Sequence, residues 1–110
     1  MTIEITKNAT IIRDLSFDLD TLVSDLDNEY KSFNNSNIIL DISNYLALKP
    51  KDLNNFFSFA KNHKKNKKSF VIFIKEIDFN KVSDKINVVP TLQEAYDVIE
   101  MEEIERDLGF

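Results

Sequence analysis

The chain contains no cysteine and no tryptophan, and its 110 residues include one glycine, one histidine and two prolines. Without thiols there can be no disulfide framework, no thiolate nucleophile and no thiolate metal site. The lone glycine, Gly109, is the penultimate residue, so neither a Walker loop nor a dinucleotide-type glycine-rich loop can form. Apolar runs are only a few residues long, as in "IIL" and "FVIFI", far from the roughly 20 residues that cross a bilayer. The first residues alternate in polarity instead of giving a basic start followed by an apolar stretch, so no secretory signal is visible and a cytoplasmic location is expected.

The single histidine, His63, stands in "KNHKKNKK". A catalytic zinc site takes about three protein ligands, usually with histidine among them, and lysine neighbours repel a cation. His63 is therefore expected at the surface near a helix C-terminus, where a protonated imidazole is favoured by the helix dipole. Nothing nearby suggests a Ser/His/Asp arrangement. The pairs Asp18/Asp20 and Asp25/Asp27 are two apart on a helix and point away from each other, so they read as a solvated face and not as a hard-cation site. No cofactor, metal site or catalytic residue is indicated, and the chain is expected not to be an enzyme.

What is present suits one globular α/β domain spanning residues 1–110: 43% hydrophobic and 30% charged residues, with a net charge of −5 that disfavours general nucleic-acid binding. "TIEITK" and "TIIRD" read as two short strands joined at Asn8-Ala9, with Asn8 in the left-handed conformation that a tight hairpin needs. Leu15, Leu19, Leu22, Val23, Leu26, Tyr30 and Phe33 recur at three and four, predicting a helix from Phe17 to about Phe33. "NIILDIS" follows as a continuous apolar strand of the kind buried on both faces. Pro50 suits the first position of a second helix reaching about Asn62, with Leu53, Phe56, Phe57 and Ala60 as its apolar stripe. "SFVIFIKE" is a second buried strand, a weakly helical stretch surrounds Val82, and "INVV" is a third strand stopped by Pro90. Thr91 and Glu94 predict a capping box that opens the last helix, which runs to about Leu108. The expected architecture is an open mixed sheet of about five strands, an N-terminal hairpin followed by alternating strands and helices packed on the sheet.

From "NIILDISNYLAL" through "FVIFI" to "INVVPTLQEAYDVI" the chain resembles a STAS domain, the fold of bacterial anti-sigma factor antagonists and of the cytoplasmic tails of sulfate transporters. The resemblance covers about residues 37–99 and implies a regulatory protein-interaction module. In antagonists of that family the turn after the central strand carries Asp-Ser-Ser-Gly, whose serine a partner kinase phosphorylates. Laid on that turn, this chain places Lys49, Pro50, Lys51 and Asp52 on the four positions, and no acceptor hydroxyl remains for the charge change that such a switch uses. Ser43 is read inside the strand end and Ser58 well within the helix. The tail "VVPTLQEAYDVIEMEEIERDLGF" also resembles short bacterial proteins labelled ribonuclease Z, but that enzyme's HxHxDH metal motif is missing.

Charge is distributed unevenly. Seven lysines (49, 51, 61, 64, 65, 67, 68) lie between Lys49 and Lys68 against one acid, and seven acids lie between Thr91 and Phe110 against Arg106 alone. The apolar positions of the last helix drift from Leu92, Ala95 and Ile99 to Val98, Met101, Ile104 and Leu108, which suggests that its end at 101–110 leaves the domain body after about Glu100. The expected function is a non-enzymatic, STAS-type interaction module lacking the phosphorylatable serine. Its candidate partner-binding residues are Lys49, Pro50, Lys51 and Asp52 in the turn and Met101, Ile104 and Leu108 in the helix. The partner is another protein, with a second copy of the chain as one candidate, and no membrane is involved. The alternative is an RNA-associated accessory, even a partner of a ribonuclease, that uses Lys61, Lys64, Lys65, Lys67 and Lys68.

Overall fold

The computed structural model describes residues 1–16 and 18–109. Strands β1 (Thr2–Ile5), β2 (Thr10–Arg13), β3 (Ile38–Asp41), β4 (Phe70–Phe73) and β5 (Asn87–Val89) form one five-stranded sheet in sequential order. β1 is antiparallel to β2, and every later pair is parallel, with Ile39 opposite Ile11 and Val71. The helices are α1 (Leu19–Glu29), α2 (Phe57–Lys65) and α3 (Leu92–Asp107). The predicted α/β architecture, hairpin first and then alternating elements, is the one the chain adopts.

Right-handed crossovers that step repeatedly in one direction put their helices on one face of a sheet. α1 and α2 accordingly share a layer, in which Leu22, Leu26, Leu53, Phe56 and Phe59 pack with Ile38, Leu40, Ile42, Phe70, Ile72 and Ile74. α3 follows the last strand and folds back across the opposite face, where Ala95 and Ile99 meet Ile11, Ile39 and Val71. Alternate residues of β3 and β4 thus serve opposite layers, and this is why both strands read as unbroken apolar runs.

Local details depart from the sequence expectations. The hairpin turn is centred on Lys7-Asn8, closed by Thr6 N–H donating to Ala9 O at 2.8 Å, and Thr6 Oγ1 also donates to Ala9 O. Asn8 does not use the left-handed region, which among the described non-glycine residues is occupied only by Ala47 and Lys67. α1 starts at Leu19 because the Asp18 carboxylate caps it, accepting from Asp20 N–H and Thr21 Oγ1. Leu15 lies outside the buried stripe, and the predicted helix start at Phe17 falls on a residue outside those described.

The second helix begins at Pro50, as expected, but its first seven residues, Pro50–Phe56, are a 3₁₀ helix that passes into α2 at Phe57. Three residues per turn followed by 3.6 rotates the buried face. Leu53, Phe56, Phe59 and His63 are buried, and Phe57 and Ala60 flank the core instead of forming it.

α3 opens with Thr91 Oγ1 accepting from Glu94 N–H at 3.1 Å. The Glu94 carboxylate accepts the threonine proton instead of reaching back to the backbone, so half of the predicted capping box is made. The far end of the helix stays on the sheet past Glu100. Arg106 donates through both terminal nitrogens to Ser69 Oγ, at 3.3 and 3.2 Å, and Asn87 Nδ2 donates to Glu102 at 3.1 Å. Polar contacts hold what an apolar stripe alone would have released, while Met101, Ile104 and Leu108 face solvent.

Candidate functional site

Two groups of side chains could support function, and they lie at opposite ends of the parallel strands. At the carboxyl ends, where open α/β sheets commonly bind ligands, Asp14 follows β2 and is 2% exposed. Its carboxylate accepts from Ser16 Oγ at 2.6 Å and from the Tyr45 hydroxyl, and the Met1 amine lies 4.0 Å away. Burial and the adjacent Asp14 carboxylate push the Tyr45 phenol well above its ordinary range. Tyr45 belongs to the loop after β3, so this bond ties that loop to the end of β2.

Asp41, the last residue of β3, organises the same edge. Its Oδ1 accepts from Ser43 N–H and Ser43 Oγ, at 3.0 and 2.6 Å, and its Oδ2 accepts from Arg13 Nε at 3.1 Å. Arg13 also pairs with Glu4 at 2.7 Å, across the β1–β2 ladder. β3 ends at Asp41, so Ser43 lies in the loop beyond the strand and not inside it. Its hydroxyl is held against a carboxylate, a poor place to add a phosphate dianion.

The clamped loop displays Leu46 at 88% exposure, directly after buried Tyr45. Ala47 follows with φ +60, a strained conformation for a residue with a Cβ. Leu15, directly after buried Asp14, is 60% exposed. Farther along, Lys49 and Lys51 are exposed, Pro50 opens the helix, and the Asp52 carboxylate accepts from Lys49 N–H at 2.8 Å. Of the four residues singled out in this turn, Pro50 and Asp52 start the helix, and the side chains of Lys49 and Lys51 are exposed.

The other end of the sheet holds the basic cluster. Lys64, Lys67 and Lys68 line a cavity of about 550 Å³, to which Lys85 and Arg106 add two cations and Asp84, Glu102 and Glu105 three carboxylates. Lys61 lines a neighbouring depression with Phe57 and Ala60, and Lys65 lines neither. α2 ends in a Schellman motif: Lys68 N–H donates to His63 O and Lys67 N–H to Lys64 O, both at 3.0 Å. Lys67 occupies the left-handed position at φ +60, which glycine normally fills. Lys67→Gly is expected to stabilise the fold by about 0.5–1 kcal/mol, read as a higher denaturant midpoint at unchanged slope.

His63 is not a surface cation. It is fully buried, with Nε2 2.6 Å from Ser36 O and Nδ1 2.5 Å from the Tyr30 hydroxyl. A carbonyl can only accept, so Nε2 carries the proton and Nδ1 accepts from Tyr30. Burial pushes the His63 pKa below its ordinary value, the Ser36 contact opposes this, and the charges of Lys68 and Arg106 push it lower still. Both ring nitrogens are engaged. Among the described residues no group of three or more His, Asp or Glu side chains could hold a metal ion, and no helix is long and apolar enough to cross a membrane.

Sequence reasoning missed the Asp14–Tyr45 bond, the role of His63 and the recruitment of Lys85 and Arg106 to the lysine cluster. It also missed Asn37, which is buried at the amino end of the sheet, donates to Asn8 O and accepts from Ser69 N–H. A polar residue next to an unbroken apolar run was its only signal. Neither a known family model nor a curated protein matches the chain.

Proposed function

We propose that the chain is a STAS-like, non-enzymatic interaction module of the cytoplasm that receives another protein on the loops at the carboxyl ends of β2 and β3, without a phosphorylation switch. The observation that carries this reading is Leu46, 88% exposed on a loop pinned by the bond from Tyr45 to buried Asp14. An apolar side chain displayed on an already ordered loop loses little further entropy on docking. Leu15 enlarges the apolar surface, and Lys49 and Lys51 add positive charge at its edge. Engagement of both His63 nitrogens supports the non-enzymatic reading, since the one imidazole of the chain is committed to the fold.

Leu15→Glu/Leu46→Glu should change stability by no more than about 0.5 kcal/mol per site, as exposed substitutions do, yet abolish capture of the partner from nuclease-treated extract of the source cells. Retention of the same proteins by the variant would remove this surface. Met101, Ile104 and Leu108, 61%, 54% and 66% exposed along one side of α3, form the second candidate surface and are tested by Met101→Glu/Ile104→Glu in the same assay. An RNA-associated role for Lys61 to Lys68 is the alternative, and it predicts that nuclease releases everything the chain captures.

A further inference from the structure

The basic cavity lies at the amino ends of β4 and β5, away from the proposed docking loops, and has its own chemistry. Five cationic side chains line it, drawn from the end of α2, the turn after it, the entry to β5 and the end of α3. Among the described residues none of the five lies within ion-pair distance of a carboxylate, even though three carboxylates line the same cavity. Arg106 is half-buried and donates to the neutral Ser69 hydroxyl, while Lys85 sits 5.6 Å from the centre of the Phe57 ring. A protein of net charge −5 thus concentrates unpaired positive charge in a concavity of ligand size. Lys67 keeps a charged side chain there at a backbone position that glycine would occupy with less strain.

We propose that this cavity binds a small phosphorylated molecule bearing free hydroxyls, a sugar phosphate or a nucleotide. Lysine and arginine donors meet the phosphate as charge-assisted hydrogen bonds. Asp84, Glu102 and Glu105 accept from hydroxyls, and they repel a ligand that presents phosphate on every side. The mixed lining therefore favours a compact molecule with one phosphate end over an RNA backbone, and it stands independently of the protein-docking reading.

Calorimetric titration of the full chain with adenosine monophosphate, glycerol phosphate, inorganic phosphate and a single-stranded RNA oligomer tests this, with the His63 ring resonances as a second readout. Lys68 and Arg106 act electrostatically on His63, so a bound phosphate should move the signals of the chain's only imidazole. Expected are saturable one-to-one binding of adenosine monophosphate or glycerol phosphate, tighter than inorganic phosphate, and about a tenfold loss in each of Lys68→Gln and Lys67→Gly. Lys65→Gln, outside the cavity, should bind normally. Lys67→Gly removes a cation while relieving strain, so weaker binding by a more stable protein cannot be misfolding. Absence of saturable binding, equal affinity for inorganic phosphate, tighter binding of the RNA oligomer, or an equal loss in Lys65→Gln would each overturn the assignment.

Discussion

Replacing Phe59 with alanine is expected to remove about 3–5 kcal/mol of stability, the usual cost of emptying a buried aromatic site. The neighbouring Phe57→Ala should cost about 1 kcal/mol, since that ring is half-buried and its removal sacrifices a partial contact and a weak cation–π interaction. Phe59 is 6% exposed and packs against Phe56, Phe70 and Tyr30, with ring centroids 6.5, 6.3 and 6.0 Å away. The Phe59 and Phe70 rings are stacked at 14° between planes, so the site joins α2 to the start of β4. Chemical denaturation of the two variants decides the matter. Equal midpoints would mean that the change from 3₁₀ to α-helix at Phe57 does not set which ring is buried.

The second large effect is expected at His63. His63→Leu keeps the volume but leaves the Ser36 carbonyl without its donor and the Tyr30 hydroxyl without its imidazole acceptor, at a cost of about 2 kcal/mol for two half-buried polar groups losing partners. The wild-type protein should also show a distinctive pH dependence. Burial lowers the His63 pKa in the folded state, so as pH falls the unfolded chain takes up the proton first. The contribution of the neutral imidazole is complete above about pH 6.5 and is lost progressively as pH falls toward the folded pKa, with a slope approaching about 1.4 kcal/mol per pH unit. There is no second histidine, so His63→Gln should lack the slope just below pH 6.5. Identical slopes in the two proteins would contradict a buried, neutral imidazole.

The strands, their order and the hairpin were legible because their signals are local. Ile38 to Leu40 and Phe70 to Ile72 form apolar runs that only a sheet covered on both faces can bury. Pro50 opens its helix through fixed φ, and Thr91 caps its helix through a hydroxyl three residues from the N–H that it accepts. The Asp18 cap was written in the same local code but was read as one of a solvated row of acids. The charge separation was legible too, although the cavity was not: Lys85 joins Lys64, Lys67 and Lys68 only when β5 pairs with β4, and Arg106 only when α3 folds back beneath the amino ends of the strands.

What the sequence by itself determined is therefore the α/β class, the element order and the absence of thiol and glycine-loop chemistry, since each follows from residue identity and near-neighbour spacing. Only the tertiary structure decided that His63 is a buried hydrogen-bond hub, that Tyr45 reaches Asp14 across 31 positions, and that the end of α3 is held by Ser69 and Asn87. Those facts depend on partners distant in the chain, and a polar or charged residue looks the same in sequence whether water or a buried group satisfies it.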